Sequence, residues 1–223
     1  MNKIAYELHL GDCLQIMRDI PDGSVDAVIT DPPYGLNFLD NEWDKSIPSW
    51  IDEGRRVGKN VAFTTAPTTL WDYPRPDWVC CWHRKHASSR TNKGGFNLWS
   101  PILYYGNLKI PTDFYATHFG TYWRQHKKVD HPSPKPIELY RWIIEWASLP
   151  GDTILDPFMG SGTTGVACMM EGRKFIGIEI CKEYYDIAET RIRDAAMQPR
   201  LPEPKQKSSR QNHVQSKFEF DGN

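Results

Sequence analysis

The tetrapeptide Asp31-Pro32-Pro33-Tyr34 follows a short apolar run, Val25 to Thr30, and combines residue types that could act together on an aromatic amino group. Such a group is a poor nucleophile because its lone pair is delocalised into the ring, so a catalyst should accept hydrogen bonds from both of its N–H bonds. The Asp31 carboxylate is one acceptor, and the rigid carbonyl of a proline peptide is another. The Tyr34 ring could stack on a base removed from a helix. An ordinary turn is the alternative, because Asp and Pro are both turn formers.

A second motif, Asp156-Pro157-Phe158-Met159-Gly160-Ser161-Gly162, is rich in glycine and follows the apolar residues Thr153 to Leu155. A glycine turn between a strand and a helix lets a ligand approach the backbone and presents free amide groups, and Glu179 is spaced to bind a ribose hydroxyl. The turn is shorter than the dinucleotide fingerprint, and no Walker lysine follows it. The Asp156 carboxylate would repel a phosphate and attract a sulfonium, which favours S-adenosylmethionine. A glycine turn needed only for tight packing is the alternative.

The elements that must position these motifs alternate between strand and helix. Apolar patterns predict strands at Ile4 to Leu10, Val25 to Thr30, Asn60 to Thr65, Asp77 to Trp82, Leu98 to Tyr105, Thr153 to Leu155 and Lys174 to Ile178. Helical spacing predicts a short helix around Leu14 to Ile20, one from Pro136, one through Met170 and one at Lys182 to Met197. Two strand–helix–strand units result, which predicts a doubly wound α/β fold.

Length and composition predict one soluble domain in a reducing compartment. The chain has 223 residues and a formal net charge of −1, which suits one α/β domain, expected over residues 1–197. The five cysteines are odd in number and form no C-x-x-C pair, which indicates a cytoplasmic chain without disulfides. No signal peptide or membrane span is expected. Residues 198–223 are rich in Pro, Ser, Lys and Gln and are predicted to be a disordered tail.

A basic stretch between Trp82 and Lys128 has Asp113 as its only acidic residue, and aromatic residues are interleaved with the cations. Phosphate contacts from such cations would position a duplex, although a solvated charged loop is the alternative. The DNA-binding candidates are Arg84, Lys85, Arg90, Lys93, Arg124, Lys127 and Lys128. The histidines here lack regular ligand spacing, so no metal is predicted. A compact target-recognition region is expected at about 83–130.

The two motifs together resemble those of the amino-methyltransferase family of DNA methyltransferases. In this resemblance, Asp31-Pro32-Pro33-Tyr34 is the catalytic motif, and Phe158-Met159-Gly160-Ser161-Gly162 is the F-x-G-x-G cofactor motif. The catalytic motif comes first, which resembles the permuted class called β, a circularly permuted Rossmann-like fold. His131-Pro132-Ser133-Pro134-Lys135-Pro136 resembles the family's H-P-x-x-K-P segment, and Gly11-Asp12 its acidic strand end beside the cofactor adenine.

The resemblance implies a role for each matched residue. Asp31, Pro32, Pro33 and Tyr34 would be catalytic, and Lys135 would lie near the methionine end of the cofactor. Glu179 would bind the ribose hydroxyls. The full cofactor-binding set is Asp12, Lys135, Asp156, Phe158, Gly160, Gly162, Thr163 and Glu179.

The expected activity is methyl transfer from S-adenosylmethionine to an exocyclic amino group in double-stranded DNA. Adenine N6 is favoured because Asp31 stands where cytosine-N4 enzymes more often have serine, and cytosine N4 is the alternative. RNA or a protein glutamine as substrate, and a catalytically idle DNA-binding module, are further alternatives. The family suggests a bacterial or bacteriophage restriction-modification context, with the protein a monomer or homodimer.

Overall fold

A computed structural model of the protein describes residues 6–35, 49–84, 98–107, 112–117 and 135–198. Within these ranges the strands are β1 (Tyr6–Leu10), β2 (Val25–Thr30), β3 (Gly58–Thr64), β4 (Trp78–Arg84), β5 (Trp99–Tyr105), β6 (Phe114–Thr117), β7 (Thr153–Asp156) and β8 (Lys174–Glu179). The helices are α1 (Cys13–Arg18), α2 (Ile51–Val57), α3 (Ile137–Ala147), α4 (Thr163–Glu171) and α5 (Lys182–Met197), with a 3₁₀ turn at Leu70–Asp72.

The described strands form one sheet in the order β1-β8-β7-β2-β3-β5-β4-β6. All run parallel except β5, which is antiparallel to both β3 and β4. The chain proceeds from β2 to β3 on one side and from β7 to β8 on the other, so the direction of winding reverses between β7 and β2. Ligands of open α/β sheets bind outside the carboxyl ends of the strands at such a switch point. The topology therefore indicates a crevice at the ends of β2 and β7.

Two apolar layers cover the sheet, because successive side chains of a strand point to opposite faces. Ala27 and Ile29 of β2 face the layer formed by α3, α4 and α5, whereas Val28 faces the layer that includes α1 and α2. Strands buried on both faces read as continuous apolar runs, as Ala27–Ile29 of β2 and Val61–Phe63 of β3 do. The sheet is thus held between helices on both faces, which keeps its carboxyl edge available for a site.

The predicted fold class is confirmed, since the described elements form a doubly wound α/β sheet, and each predicted strand and helix is present. Sequence patterns missed α2, where the Trp50 ring lies so close to Gly54 that a β-carbon there would meet it at 2.9 Å. The short edge strand β6 was also missed.

The target-recognition region expected at about 83–130 stays a prediction, and part of the central sheet lies inside this range. Strand β5 lies inside this range and is hydrogen-bonded between β3 and β4, and β6 extends the same sheet. The central sheet therefore runs through the region. Residues 85–97, 108–111 and 118–134 lie outside the described residues, as does the predicted tail from residue 199.

Two further features concern the cysteines and the helices. The five cysteines are unpaired. None of the helices in the described ranges has the length and apolarity that a membrane crossing requires.

Candidate active site

The carboxylate of Asp31 lies at the carboxyl end of β2, directly beside β3. Parallel pairing aligns Thr30 with Phe63, so Asp31 and Thr64 are the next neighbours across the two strands. The Thr64 hydroxyl donates to Asp31 Oδ1. Strand register therefore places a hydroxyl donor against the carboxylate.

Two further side chains bind the same carboxylate from other parts of the chain. The Tyr34 hydroxyl donates to Asp31 Oδ1 at 2.6 Å, and it lies 3.2 Å from Thr64 Oγ1. The Lys135 ammonium, just before α3, forms an ion pair with Asp31 Oδ2. The side chains of Lys135 and Asp31 are 14% and 24% exposed. Asp31 is therefore a half-buried carboxylate with three side-chain donors.

Tyr34 serves this carboxylate as a neutral donor. Burial, together with the nearby Asp31 charge, raises the pKa of Tyr34 well above its ordinary value. The Lys135 Nζ atom lies 5.4 Å from the centroid of the Tyr34 ring. The ring that was predicted to stack on a base therefore has an ammonium over it, while its hydroxyl holds Asp31.

Asp156, at the end of β7, is buried directly across the switch point from Asp31. Its Oδ1 atom accepts from the Thr30 hydroxyl at 2.6 Å and from the Phe158 amide at 3.0 Å. Burial raises the pKa of Asp156 to about 7, against the opposing effect of hydrogen bonds from Thr164 and Thr30. Thr30 immediately precedes Asp31, so one buried hydrogen bond joins the two motifs.

The glycine turn follows Asp156 and contacts Glu179. Gly160 and Gly162 have φ values of 52° and 81°, in the left-handed region that favours glycine. Glu179 accepts from the Gly160 and Cys181 amides, each at 2.8 Å. Burial raises the pKa of Glu179, while these backbone hydrogen bonds oppose the rise.

The turn differs from the expectation that its amides are free. The amides of Phe158 and Gly160 bind carboxylates, as described, while Met159 donates to the Ile178 carbonyl and Gly162 to the Met159 carbonyl. Backbone amides that already have internal acceptors are not available to a pyrophosphate. The internal bonding strengthens the preference for a ligand other than a dinucleotide.

Tight packing also accounts for one of the glycines. A β-carbon on Gly162 would lie 2.9 Å from Ala188 Cβ on α5. The alternative role considered for the turn, close packing of a strand against a helix, therefore applies to Gly162. It coexists with the placement of the turn at the switch point.

The remaining predicted cofactor residues surround this turn. Asp12 caps α1 by accepting from the Leu14 amide at 2.7 Å, and the Gly11 amide donates to the Glu179 carbonyl, which brings Asp12 beside Glu179. The Phe158 ring packs edge-on against Trp50, with 5.7 Å between ring centroids. Thr163 is buried at the start of α4. Acidic side chains thus follow or end three neighbouring strands, β1, β8 and β7.

Lys135 is a predicted cofactor residue that contacts the catalytic motif, and its predicted role toward the cofactor stays a prediction. Its ammonium contacts Asp31 of the catalytic motif, whereas the resemblance implied a place near the methionine end of the cofactor.

Arg84 ends β4 at the same edge of the sheet as Asp31. Three strand spacings separate β4 from β2, roughly 14 Å. The Arg84 guanidinium lies over the Trp82 ring at 5.6 Å and donates to the Trp99 carbonyl. The other DNA-binding candidates, Lys85, Arg90, Lys93, Arg124, Lys127 and Lys128, lie outside the described residues.

Sequence reasoning missed Thr30 and Thr64, which bind the two aspartates. A usable signal was present, because each is a threonine at the last position of a buried apolar strand. A hydroxyl at that position can meet a carboxylate at the end of the neighbouring strand. Which aspartate it meets depends on strand order, which the local pattern does not contain.

Comparisons with known proteins agree with this geometry. The sequence profile of the N6/N4 DNA methylase family matches residues 69–190. The putative methylase YubD of Escherichia coli (strain K12) is 29% identical over 205 residues, covering 82% of this chain and 88% of YubD. The DNA adenine methyltransferase YhdJ of the same organism is 28% identical over 238 residues, covering 82% and 81%. The crystal structure of the M1.HpyAVI–SAM complex matches with a TM-score of 0.64 at 25% identity, covering 83% of this chain and 99% of that one.

Proposed function

The chain belongs to the N6/N4 DNA methylase family, and we propose that its acceptor is the N6 amino group of adenine in double-stranded DNA. The methyl donor in this proposal is S-adenosylmethionine. The observation that carries the proposal is the buried Thr30–Asp156 hydrogen bond, which joins the catalytic and glycine-turn motifs at the switch point of the sheet. A donor site and an acceptor site at adjacent strand ends would allow a direct, in-line transfer.

The acidic turn suits the proposed cofactor. When bound, S-adenosylmethionine supplies an electrophilic methyl group on a sulfonium that carries positive charge. The Asp156 carboxylate would attract that charge, and Glu179 and Asp12 lie where ribose and adenine contacts are expected. The internally bonded amides of the turn leave phosphate binding unsupported.

The catalytic motif suits an amino acceptor. The Asp31 carboxylate accepts a hydrogen bond from one N–H of the amino group, and a proline carbonyl of the motif accepts a hydrogen bond from the other N–H. Both hydrogen bonds localise the nitrogen lone pair, which then forms the new N–C bond as the S–C bond breaks. The nitrogen loses one proton, and Asp31 is the adjacent acceptor. Positioning and charge placement supply the rate enhancement, without a protein nucleophile.

Two observations support adenine as the acceptor base. Asp31 occupies the first motif position, where serine is commoner among cytosine-N4 enzymes, and the relative YhdJ is named as an adenine methyltransferase.

Both halves of the sheet share two continuous cores, which supports one methyltransferase domain over residues 1–197.

DNA contacts are proposed on the same edge of the sheet. Strands β4 and β6 end there, and the basic candidates follow these strands along the chain. Lys85, Arg90 and Lys93 follow β4, whereas Arg124, Lys127 and Lys128 follow β6. Phosphate contacts from these residues would position a duplex over Asp31.

The direct test incubates the protein with labelled S-adenosylmethionine and unmethylated bacterial DNA and identifies the modified nucleosides by mass spectrometry. We expect N6-methyladenine from the wild type and none from Asp31→Ala. If N4-methylcytosine is the only product, the acceptor is cytosine N4 and not adenine N6. If label is transferred to RNA or protein and not to DNA, the proposal that DNA is the substrate is wrong. A protein that binds DNA but no S-adenosylmethionine would be an idle module.

A further inference from the structure

We propose that the Lys135 ammonium is a placeholder for the amino group of the substrate base, which must displace it from Asp31 before methyl transfer. This inference rests on the proposed function and specifies how the same site admits its substrate. It assigns Lys135 a gating role through Asp31.

The division of donors between the two oxygens of Asp31 supports this role. Tyr34 and Thr64 both donate to Oδ1, so that oxygen has a donor for each of its two lone-pair sites. Lys135 binds Oδ2. An incoming amino group must therefore approach Oδ2, where the ammonium already takes one of the two lone-pair sites.

The Lys135 ammonium and a stacked base would also compete for the same space over the Tyr34 ring. Lys135 Nζ lies over the Tyr34 ring, 5.4 Å from its centroid, while it is paired with Asp31. A base that stacks on this face of Tyr34 and donates to Oδ2 needs the same space. Ammonium and amino group are both N–H donors, so each can satisfy the carboxylate in the absence of the other.

The Lys135–Asp31 ion pair is largely buried, so its replacement by the amino group of the base should affect how strongly the base binds. The Lys135 side chain is only 14% exposed, so the ion pair is screened less than a surface pair. If Asp31 is free of Lys135 in only a minor fraction of the molecules, the apparent affinity for the extrahelical base is reduced in proportion to that fraction. Removing the ammonium should increase that fraction, because Asp31 then lacks a donor on Oδ2.

The chain offers a matched control at the opposite edge of the sheet. Lys59 and Asp26 form another lysine–aspartate pair, with 2.7 Å between Nζ and Oδ1. Lys59 lies near the start of β3, whereas Asp31 follows the end of β2. Lys59→Met removes the same charge without touching the site.

The test measures base extrusion with duplex DNA that carries 2-aminopurine next to the target adenine, which keeps its N6 amino group, in a site located beforehand by mapping wild-type methylation. We expect Lys135→Met to raise the bound-state fluorescence signal for the extruded base roughly three- to tenfold, and Lys59→Met to leave it unchanged. In an Asp31→Ala background, Lys135→Met should have no effect, because the ammonium then has no carboxylate to occupy. Lys135→Gln serves in place of Lys135→Met if the latter is unstable in thermal unfolding.

Unchanged or reduced extrusion in Lys135→Met would overturn the placeholder role, as would an equal increase in the Asp31→Ala background. Isothermal titration with S-adenosylmethionine provides a second arm. Affinity within about threefold of wild type supports the placeholder, whereas a large loss would assign Lys135 to the methionine end of the cofactor instead. Absence of wild-type DNA methylation is a different result, which contradicts the proposed function itself.

Discussion

Asp31 and Asp156 lie at the ends of neighbouring strands but are held in different ways. Asp31 is about a quarter exposed, and its partners are the side chains of Tyr34, Thr64 and Lys135. Asp156 is 2% exposed, and its partners include the main chain of the turn that follows it. Side-chain donors can leave by a change of rotamer, whereas the main-chain donor is part of the turn itself. The base side of the site is therefore built to exchange partners, and the cofactor side to keep its shape.

The largest effect on the methylation rate should come from a substitution on the base side of the site. Asp31→Ala removes the acceptor that faces the base, so we expect the methylation rate to fall by about a thousandfold or more. The affinity for S-adenosylmethionine should stay within a few fold. Single-turnover kinetics and calorimetric titration measure the two quantities. An equal loss of cofactor affinity would show that the two sides are not separable.

A substitution on the cofactor side should mainly lower the free energy of unfolding. Gly162→Ala adds a β-carbon at a φ of 81°, 2.9 Å from Ala188 Cβ, so we expect a loss of about 2–4 kcal/mol in the free energy of unfolding. Gly23→Ala is the control, because Gly23 has a φ of 60° and open space around it. Its expected loss is about 1 kcal/mol. Urea unfolding compares them, and equal losses would mean that packing against α5 contributes nothing.

Cofactor affinity should depend on pH through Asp156. Its pKa is raised to about 7, so the carboxyl is largely neutral at pH 6 and charged at pH 8. A charged carboxylate attracts the sulfonium, so affinity for S-adenosylmethionine should rise roughly three- to tenfold across this interval. The affinity of the Asp156→Asn variant for S-adenosylmethionine should be lower than that of the wild type and independent of pH. A wild-type affinity that falls with pH would contradict the assignment.

The same group predicts the pH dependence of folding. Because the pKa of Asp156 in the folded state lies above its unfolded value near 3.9, the folded protein binds the proton more tightly. The stability contribution of this proton is present below the unfolded pKa and is lost as pH rises through about 7. Asp156→Asn should therefore flatten the decline in unfolding free energy between pH 5 and pH 8, measured by urea titration.

The smallest effect should come from one of the redundant donors to Asp31. Thr64→Val removes a hydroxyl, but Tyr34 still donates to the same oxygen, so we expect a loss of about threefold in methylation rate. Thr65→Val is a matched control, because the buried Thr65 hydroxyl bonds Thr69 and not Asp31. Equal kinetic losses in both variants would indicate a general effect of removing a threonine.

Local sequence predicted the described strands except β6, and most of the helices, because their apolar spacing reports burial directly. The helix α2 was not predicted, because one of its three buried residues is Gly54, which packs against the Trp50 ring and has no apolar side chain to report burial. The sheet partners of β5 could not be predicted for a related reason. Strand β5 resembles an isolated segment in sequence, but it pairs with β3, and this long-range pairing cannot be read from spacing.

Local sequence is sufficient for the two motifs, their order along the chain and the chemistry that their residue types allow. Acceptor atoms, glycine torsions and a carboxylate are local properties of Asp31-Pro32-Pro33-Tyr34 and of the turn at Gly160 and Gly162. Which donors meet each carboxylate depends instead on how the strands and helices pack together. Strand order brings Thr30 to Asp156 and Thr64 to Asp31, and the chain preceding α3 brings Lys135 to the catalytic motif. Contacts between residues more than 30 positions apart depend on the packing of the whole sheet, which no local pattern encodes.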